Sequence, residues 1–174
     1  GFQNNTLSRP FRETNYQPEA FLLIATPYSL GNFKGVFAGV GLNHQSNGRS
    51  NPLSRSWNRV IFQFGWEIKK LQIVLKPWMR LPQDKSNDDN PDIQDYMGRV
   101  QLDLSYAFGK PNFELAARHS LRDGSENRAS ARLDYSYRLI KNLKLHGQIF
   151  TGYGESMIDY NHNQTTFGLG ISLY

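Results

Sequence analysis

The sequence predicts an all-β chain, specifically an antiparallel transmembrane β-barrel, and three observations predict it. Apolar and polar residues alternate with period two almost from end to end, the pattern of strands rather than helices. The alternating segments number roughly nine and run about ten residues each, long enough to cross a bilayer when tilted. Aromatic residues (Tyr16, Tyr28, Trp57, Trp66, Trp78, Tyr96, Tyr106, Tyr153) gather near the segment ends, as membrane-interface belts require. A soluble sandwich would show the same alternation; the number and length of the strands and these aromatics favour the membrane.

Taken in order, Ala20, Leu22 and Ile24 mark a less regular strand between Pro18 and Pro27. Val36, Ala38, Val40 and Leu42 are then separated by glycines and Phe37. Val60, Phe62, Phe64, Trp66 and Ile68 oppose Arg59, Gln63, Glu67 and Lys69, and Leu71, Ile73, Leu75, Met79 and Leu81 oppose Gln72, Lys76 and Arg80. Val100 to Phe108 alternates with Arg99, Gln101, Asp103 and Ser105. Phe113, Leu115 and Ala117 face away from Glu114 and Arg118, and Leu133 to Leu139 oppose Arg132, Asp134, Ser136 and Arg138. Leu143, Leu145 and Ile149 oppose Lys144, His146 and Gln148, and Phe167, Leu169, Ile171 and Leu173 end the chain. Short connections (Lys69-Lys70, Gly109-Lys110-Pro111, Lys141-Asn142) alternate with longer loops at 47–55, 83–95, 122–128 and 154–163, the two ends of a barrel. No linker or second domain interrupts the 174 residues. Nine is an odd count where even numbers are usual, so a single barrel domain lacking N-terminal strands is expected.

Composition narrows the functional classes. There is no cysteine, which excludes disulfides, thiol chemistry and cysteine-based zinc sites. The net charge is +5, but the basic residues are scattered rather than clustered, so no nucleic-acid partner is expected. Mean hydropathy is −0.59 and no apolar run suits a transmembrane helix; barrel strands bring only alternate residues to lipid. Gly1-Phe2-Gln3-Asn4-Asn5 has none of the regions of a signal peptide.

One constellation carries chemistry. His44 and Ser46 continue the parity of Val40 and Leu42, and Asn58 continues that of Val60 and Phe62, so all three side chains point to the apolar, lipid-facing side. A hairpin symmetric about Asn51 sets His44 opposite Asn58, with Cβ atoms about 4.5–5.5 Å apart. The Asn58 carboxamide can then accept from one imidazole nitrogen and leave the other to take the Ser46 proton, without placing a carboxylate beside hydrocarbon, where charge is costly. The bland alternative is an ordinary polar loop, since His-x-Ser is common and Asn-Gly with Ser, Arg and Pro is turn chemistry.

Several segments carry a resemblance. Asn43-His44-Gln45-Ser46-Asn47-Gly48-Arg49 and Ser54-Arg55-Ser56-Trp57-Asn58-Arg59 are similar to the active-site region of the outer membrane phospholipase A family. Pro10 to Tyr16, Lys76-Pro77-Trp78, Asp88-Asp89-Asn90-Pro91-Asp92, Gly152 to Ser156, Ile158 to Asn161 and Asn163 to Thr165 resemble it too. The resemblance implies a barrel of about twelve strands in the Gram-negative outer membrane, of which this chain holds the later nine or so. It implies calcium-dependent hydrolysis of phospholipid acyl esters, with Ser46 as nucleophile, His44 as base, Asn58 as orienting residue and the Gly48 N–H as oxyanion donor. It further implies Ca²⁺ ligands from the Arg49 carbonyl, the Ser54 hydroxyl and Ser8 of the partner subunit. The active form implied is a homodimer that meets phospholipid in the membrane. Asn51 stands where the family pattern expects an acidic residue, which bears on any second calcium site.

The remaining polar groups have plain readings. His119, His146 and His162 are barrel or loop residues, and Asp88, Asp89 and Asp92 could bind a cation, though a solvated loop is the plainer reading. Asp103, Glu114, Asp134, Arg99, Arg118, Arg132 and Arg138 form an interior ion-pair network. A non-enzymatic pore or structural barrel, and a soluble binder of anionic ligands, are the competing classes.

Overall fold

The computed structural model describes residues 15–84 and 88–173. They form one antiparallel sheet. Its strands are β1 (Glu19–Ala25), β2 (Ser29–Leu30), β3 (Phe33–Ser46), β4 (Ser56–Ile68) and β5 (Leu71–Arg80), then β6 (Val100–Ala107), β7 (Pro111–His119), β8 (Ala129–Ile140), β9 (Leu143–Gly152) and β10 (Gln164–Leu173). The order is β1-β3-β4-β5-β6-β7-β8-β9-β10, each strand beside its sequence neighbour, with the two-residue β2 pairing with β3. Nine strands on this path match the number of alternating segments. This up-and-down order is the wall of a transmembrane β-barrel, with β1 and β10 at its edges.

Burial follows the alternation. Leu22, Leu42, Met79, Leu133, Ile149 and Leu169 are exposed, and they lie on the face that a bilayer would cover, whereas their neighbours in sequence turn inward. Two large inward rings each face a glycine across the ladder. A Cβ at Gly41 would strike the Phe21 ring, and one at Gly65 would strike Phe37. A bulge between Gly35 and Phe37 breaks the strict alternation in β3, so below it the outward residues change parity. Pro77 lies inside β5 and pairs with Val100; it has no N–H to donate, and the β4–β5 ladder skips this stretch while keeping its register.

The long loops meet at one end. Short helix α1 (Ile93–Met97) lies between β5 and β6, and Ile93, Met97, Met157 and Tyr160 join Trp57, Ile61 and Trp78 in one buried cluster. That apolar plug fills the mouth of the wall from inside. Periodicity gave no sign of α1, because five residues make little more than one turn and their burial, not their propensity, holds them.

Three readings of the sequence change. Trp57 and Trp78 are not interface anchors: both are buried and face the Arg59 guanidinium, at 4.2 and 5.2 Å to the ring centroids. Tyr96 and Tyr153 likewise pack together beside the plug, with ring centroids 5.5 Å apart and planes tilted by 56°. Trp66 does belong to an exposed belt, donating to the Tyr28 hydroxyl at 2.9 Å. The interior ion pairs are partly as expected, with Lys76–Asp103 and Arg132–Asp134 at 2.6 and 2.7 Å. Arg118, by contrast, donates to Ser130 Oγ and to the Gly154 carbonyl, fastening the last long loop to the wall.

Candidate active site

The site is built where β3 ends and β4 begins. Thirteen cross-strand pairs set the register of this hairpin, among them His44 with Asn58 and Ser46 with Ser56. The other side of β3 is tied as well. Ser46 exchanges both backbone hydrogen bonds with Tyr16, and the His44 N–H donates to the Pro18 carbonyl at 3.0 Å. The backbone carrying the imidazole and the hydroxyl is therefore held from two sides.

His44 Nδ1 and Asn58 Oδ1 are 2.8 Å apart. Because a carbonyl oxygen only accepts, this contact assigns the proton to Nδ1 and leaves Nε2 as a free base. His44, Ser46 and Asn58 are all half-buried and on the outward face, beside exposed Val40 and Leu42. Among the described residues no hydrogen bond joins Ser46 Oγ to the ring; such bonds are often long before substrate tightens the site. A cleft of 380 Å³ adjoins the His44–Asn58 pair, with Pro18, Ala20, Leu42 and Leu81 as its apolar lining.

Behind these residues lies an interlocking set that the sequence did not disclose. Residues 43, 45, 57 and 59 alternate with the site residues and point inward. Arg59 donates through Nε and Nη2 to Asn43 Oδ1, at 3.0 and 2.6 Å, and through Nη2 to Gln45 Oε1 at 3.3 Å. Gln45 also accepts from Trp57 Nε1 at 2.9 Å, and Asn43 donates to Glu19. These bonds cross from β1 through β3 to β4 directly beneath the imidazole.

The connecting loop is stapled by one side chain. Buried Asn47 donates to the Leu53 carbonyl at 2.8 Å and accepts from the N–H groups of Arg49 and Arg55. Gly48 takes φ +60, a left-handed conformation open to glycine at no steric cost. It is exposed, and its N–H donates to no acceptor among the described residues, so it is free to meet a developing negative charge.

The expected calcium ligands divide. Arg49 and Ser54 lie in this loop; Ser8 lies outside the described residues. Ser54 Oγ donates to Asp89 Oδ2 at 2.6 Å, which corrects the reading of the aspartates as solvated. Asp88 is paired with Arg80 at 2.5 Å, and Asp92 accepts from the Tyr160 hydroxyl. Burial, and then the bond to Asp92, push the Tyr160 phenol above its ordinary value. No cluster of three His, Asp or Glu occurs among the described residues. A hydroxyl, a carboxylate and a nearby backbone carbonyl are oxygen donors that fit a hard cation such as Ca²⁺ and do not fit a softer metal. The sequence offered Asp89 only as one of three acidic groups that could take a cation; its partnership with Ser54, 35 residues away, closes only in space.

Fold and site together define a membrane-spanning β-barrel wall with a His-Asn pair and a serine turned towards lipid. The chain belongs to the phospholipase A1 family, whose family model matches residues 2–173. It is 41% identical over 170 residues to the phospholipase A1 of Salmonella typhimurium, covering 98% of this chain and 57% of the relative. An active-site asparagine-to-alanine mutant of the Escherichia coli outer membrane phospholipase A superposes with TM-score 0.85 at 40% identity, over 96% of this chain and 63% of that one. The dimer of the Salmonella typhi outer membrane phospholipase with bound calcium superposes with TM-score 0.86 at 40% identity, over 98% of this chain and 64% of that one. The chain thus spans somewhat under two thirds of these relatives, and its wall is that of a Gram-negative outer-membrane barrel.

Proposed function

We propose that the protein is a calcium-dependent outer-membrane phospholipase that hydrolyses acyl esters of phospholipids and lysophospholipids. The observation that carries this reading is the 2.8 Å His44–Asn58 contact on the lipid-facing side of the wall, with Ser46 on the same face. A buried histidine pair in a soluble core would have no access to a membrane ester; this one lies beside exposed Leu42.

Ser46 Oγ attacks the ester carbonyl carbon as its proton passes to His44 Nε2, while Asn58 Oδ1 keeps the ring oriented through Nδ1–H. The Gly48 N–H donates to the oxygen that becomes negative. The C–O bond to the glycerol side breaks, and the leaving alkoxide takes the proton from His44. Water then attacks the acyl-Ser46 carbonyl carbon, giving a proton to His44; the Ser46 Oγ–C bond breaks, Ser46 Oγ takes that proton back from His44, and free fatty acid leaves. Asn58 is neutral, so the ring is oriented without a second charge against hydrocarbon. The apolar cleft beside the pair takes an acyl chain.

Ca²⁺, when bound, supplies positive charge that stabilises the oxyanion. The Arg49 carbonyl and the Ser54 hydroxyl would hold it, with Asp89 offering a carboxylate beside Ser54, and Ser8 of the partner subunit is the further ligand that the family resemblance implies. The calcium-bound dimer of the Salmonella typhi outer membrane phospholipase supports a homodimer as the active form. We read the chain as one barrel domain, with β1 and β10 at the edges of its wall. The apolar plug in its mouth gives no support to a conducting pore.

The test is fatty-acid release from phosphatidylcholine in detergent micelles, with calcium and with chelator. Wild type hydrolyses only with calcium, and Ser46→Ala is inactive while still folded by heat-dependent gel mobility. Full turnover by folded Ser46→Ala removes the assignment of nucleophile, and turnover in chelator removes the metal.

A further inference from the structure

We propose that Tyr160 is a positioning residue for the calcium side of the site, acting through the segment 88–92, which braces the start of β4. The proposal rests on the hydrolase reading above for its metal and for Ser54 and Asp89, and adds Tyr160, Asp92, Asn90 and Arg80, which that reading does not use.

Contacts leave this short segment in four directions. Asp89 accepts from Ser54 Oγ at 2.6 Å. Asn90, with no exposed surface, accepts the Ser56 N–H at 2.9 Å. The pairing of β4 with β5 begins only at Arg59 with Arg80, so an Asn90 side chain stands in for the strand that Ser56 lacks on that side. Arg80 holds Asp88 at 2.5 Å and the Pro91 carbonyl at 2.8 Å. Tyr160, 68 residues further along, donates to Asp92.

These contacts divide into anchors and loads. Arg80 belongs to β5 and anchors one end of the segment to the wall. Tyr160 anchors the other end from the plug, where its ring meets Tyr96 edge-on at 5.7 Å and only 7% of it is exposed. Its raised phenol pKa, caused by burial first, keeps it a donor. The loads are Ser54 and Ser56. Ser54 lies in a loop with no strand to fix it, so the rotamer of its hydroxyl depends on where Asp89 stands. Tyr160 touches neither substrate nor the reacting atoms; it acts by fixing that height.

Tyr160→Phe keeps the buried ring and removes only the bond to Asp92. In the full protein in dodecyl maltoside micelles it raises the calcium midpoint roughly fivefold. That is part of the roughly tenfold or more that a hydrogen bond to a charged group is worth. Isothermal titration with calcium shows the same shift, turnover at saturating calcium stays within about twofold, and amide exchange at residues 54–56 quickens. Asp92→Asn, which keeps an acceptor for the phenol, moves the midpoint less. A purely structural Tyr160 would lower the unfolding midpoint and leave calcium affinity unchanged, and that result overturns the proposal. So does unchanged exchange at residues 54–56, whatever the wild type does with calcium. A wild type without calcium-dependent hydrolysis overturns the hydrolase reading instead, and the exchange measurement still decides the brace.

Discussion

Removing the Asn58 carboxamide separates orientation from chemistry in this site. Asn58→Ala deletes one hydrogen bond of 2.8 Å to His44 Nδ1 on a half-buried, lipid-facing surface, and leaves Ser46 and the ring in place. The bond itself is worth about 1–1.5 kcal/mol as a neutral pair. It strengthens when the ring becomes imidazolium, because hydrogen bonds to charged groups are worth roughly 1.5–3 kcal/mol. That difference appears only in the transition state, so it falls on kcat rather than KM. Losing the preferred tautomer adds a factor of a few, giving a total of about 2 kcal/mol, or roughly 30-fold in kcat. The loss is smaller than the roughly 10⁴-fold known where an orienting carboxylate is neutralised, since no charge is removed here. The assay is release of fatty acid at saturating calcium and varied substrate, alongside Ser46→Ala as the zero and heat-dependent gel mobility as the control for folding. KM is expected to stay within about twofold. A kcat within threefold of wild type, or a loss carried wholly by KM, would refute the orienting role.

Two further outcomes test the wall around the site. Arg59→Met leaves Asn43 Oδ1 without the donors that satisfy it and removes a cation packed on Trp57; the cost is about 3 kcal/mol, read as a lowered urea midpoint, and a change below about 1 kcal/mol would show the set to be redundant. Leu133→Arg puts a charge on the exposed outer face of β8 and costs about 2–4 kcal/mol in a bilayer, whereas Ser136→Arg, from the inward face of the same strand, costs far less. Equal penalties for the two would reverse the assignment of faces.

Much of the site was legible in the sequence because it is governed by short-range rules. Period-two parity put His44, Ser46 and Asn58 on the apolar side, and the hairpin centred on Asn51 set the first against the last. A strand offers two faces only, and a hairpin's register follows from its loop length, so a string of residues suffices to decide both. The same reasoning found nine strands and the short and long connections between them.

What escaped it lies where no period operates. The bulge at Gly35–Phe37 shifts parity without a sequence signal beyond glycine. Ser54 meets Asp89 across 35 residues and Tyr160 meets Asp92 across 68, because curling of the sheet brings separate loops to one rim. Asp88, Asp89 and Asp92 read as a solvated loop or a cation site when taken alone, and are partners of Arg80, Ser54 and Tyr160 once those loops converge. Trp57 and Trp78 read as interface anchors by position, yet their inward parity places them against Arg59. The chain's alternation therefore determined the wall, its two faces and the outward site. Tertiary structure alone decided the plug, the charge set behind the imidazole and the brace at Ser54, since each depends on distances between segments that no local preference encodes.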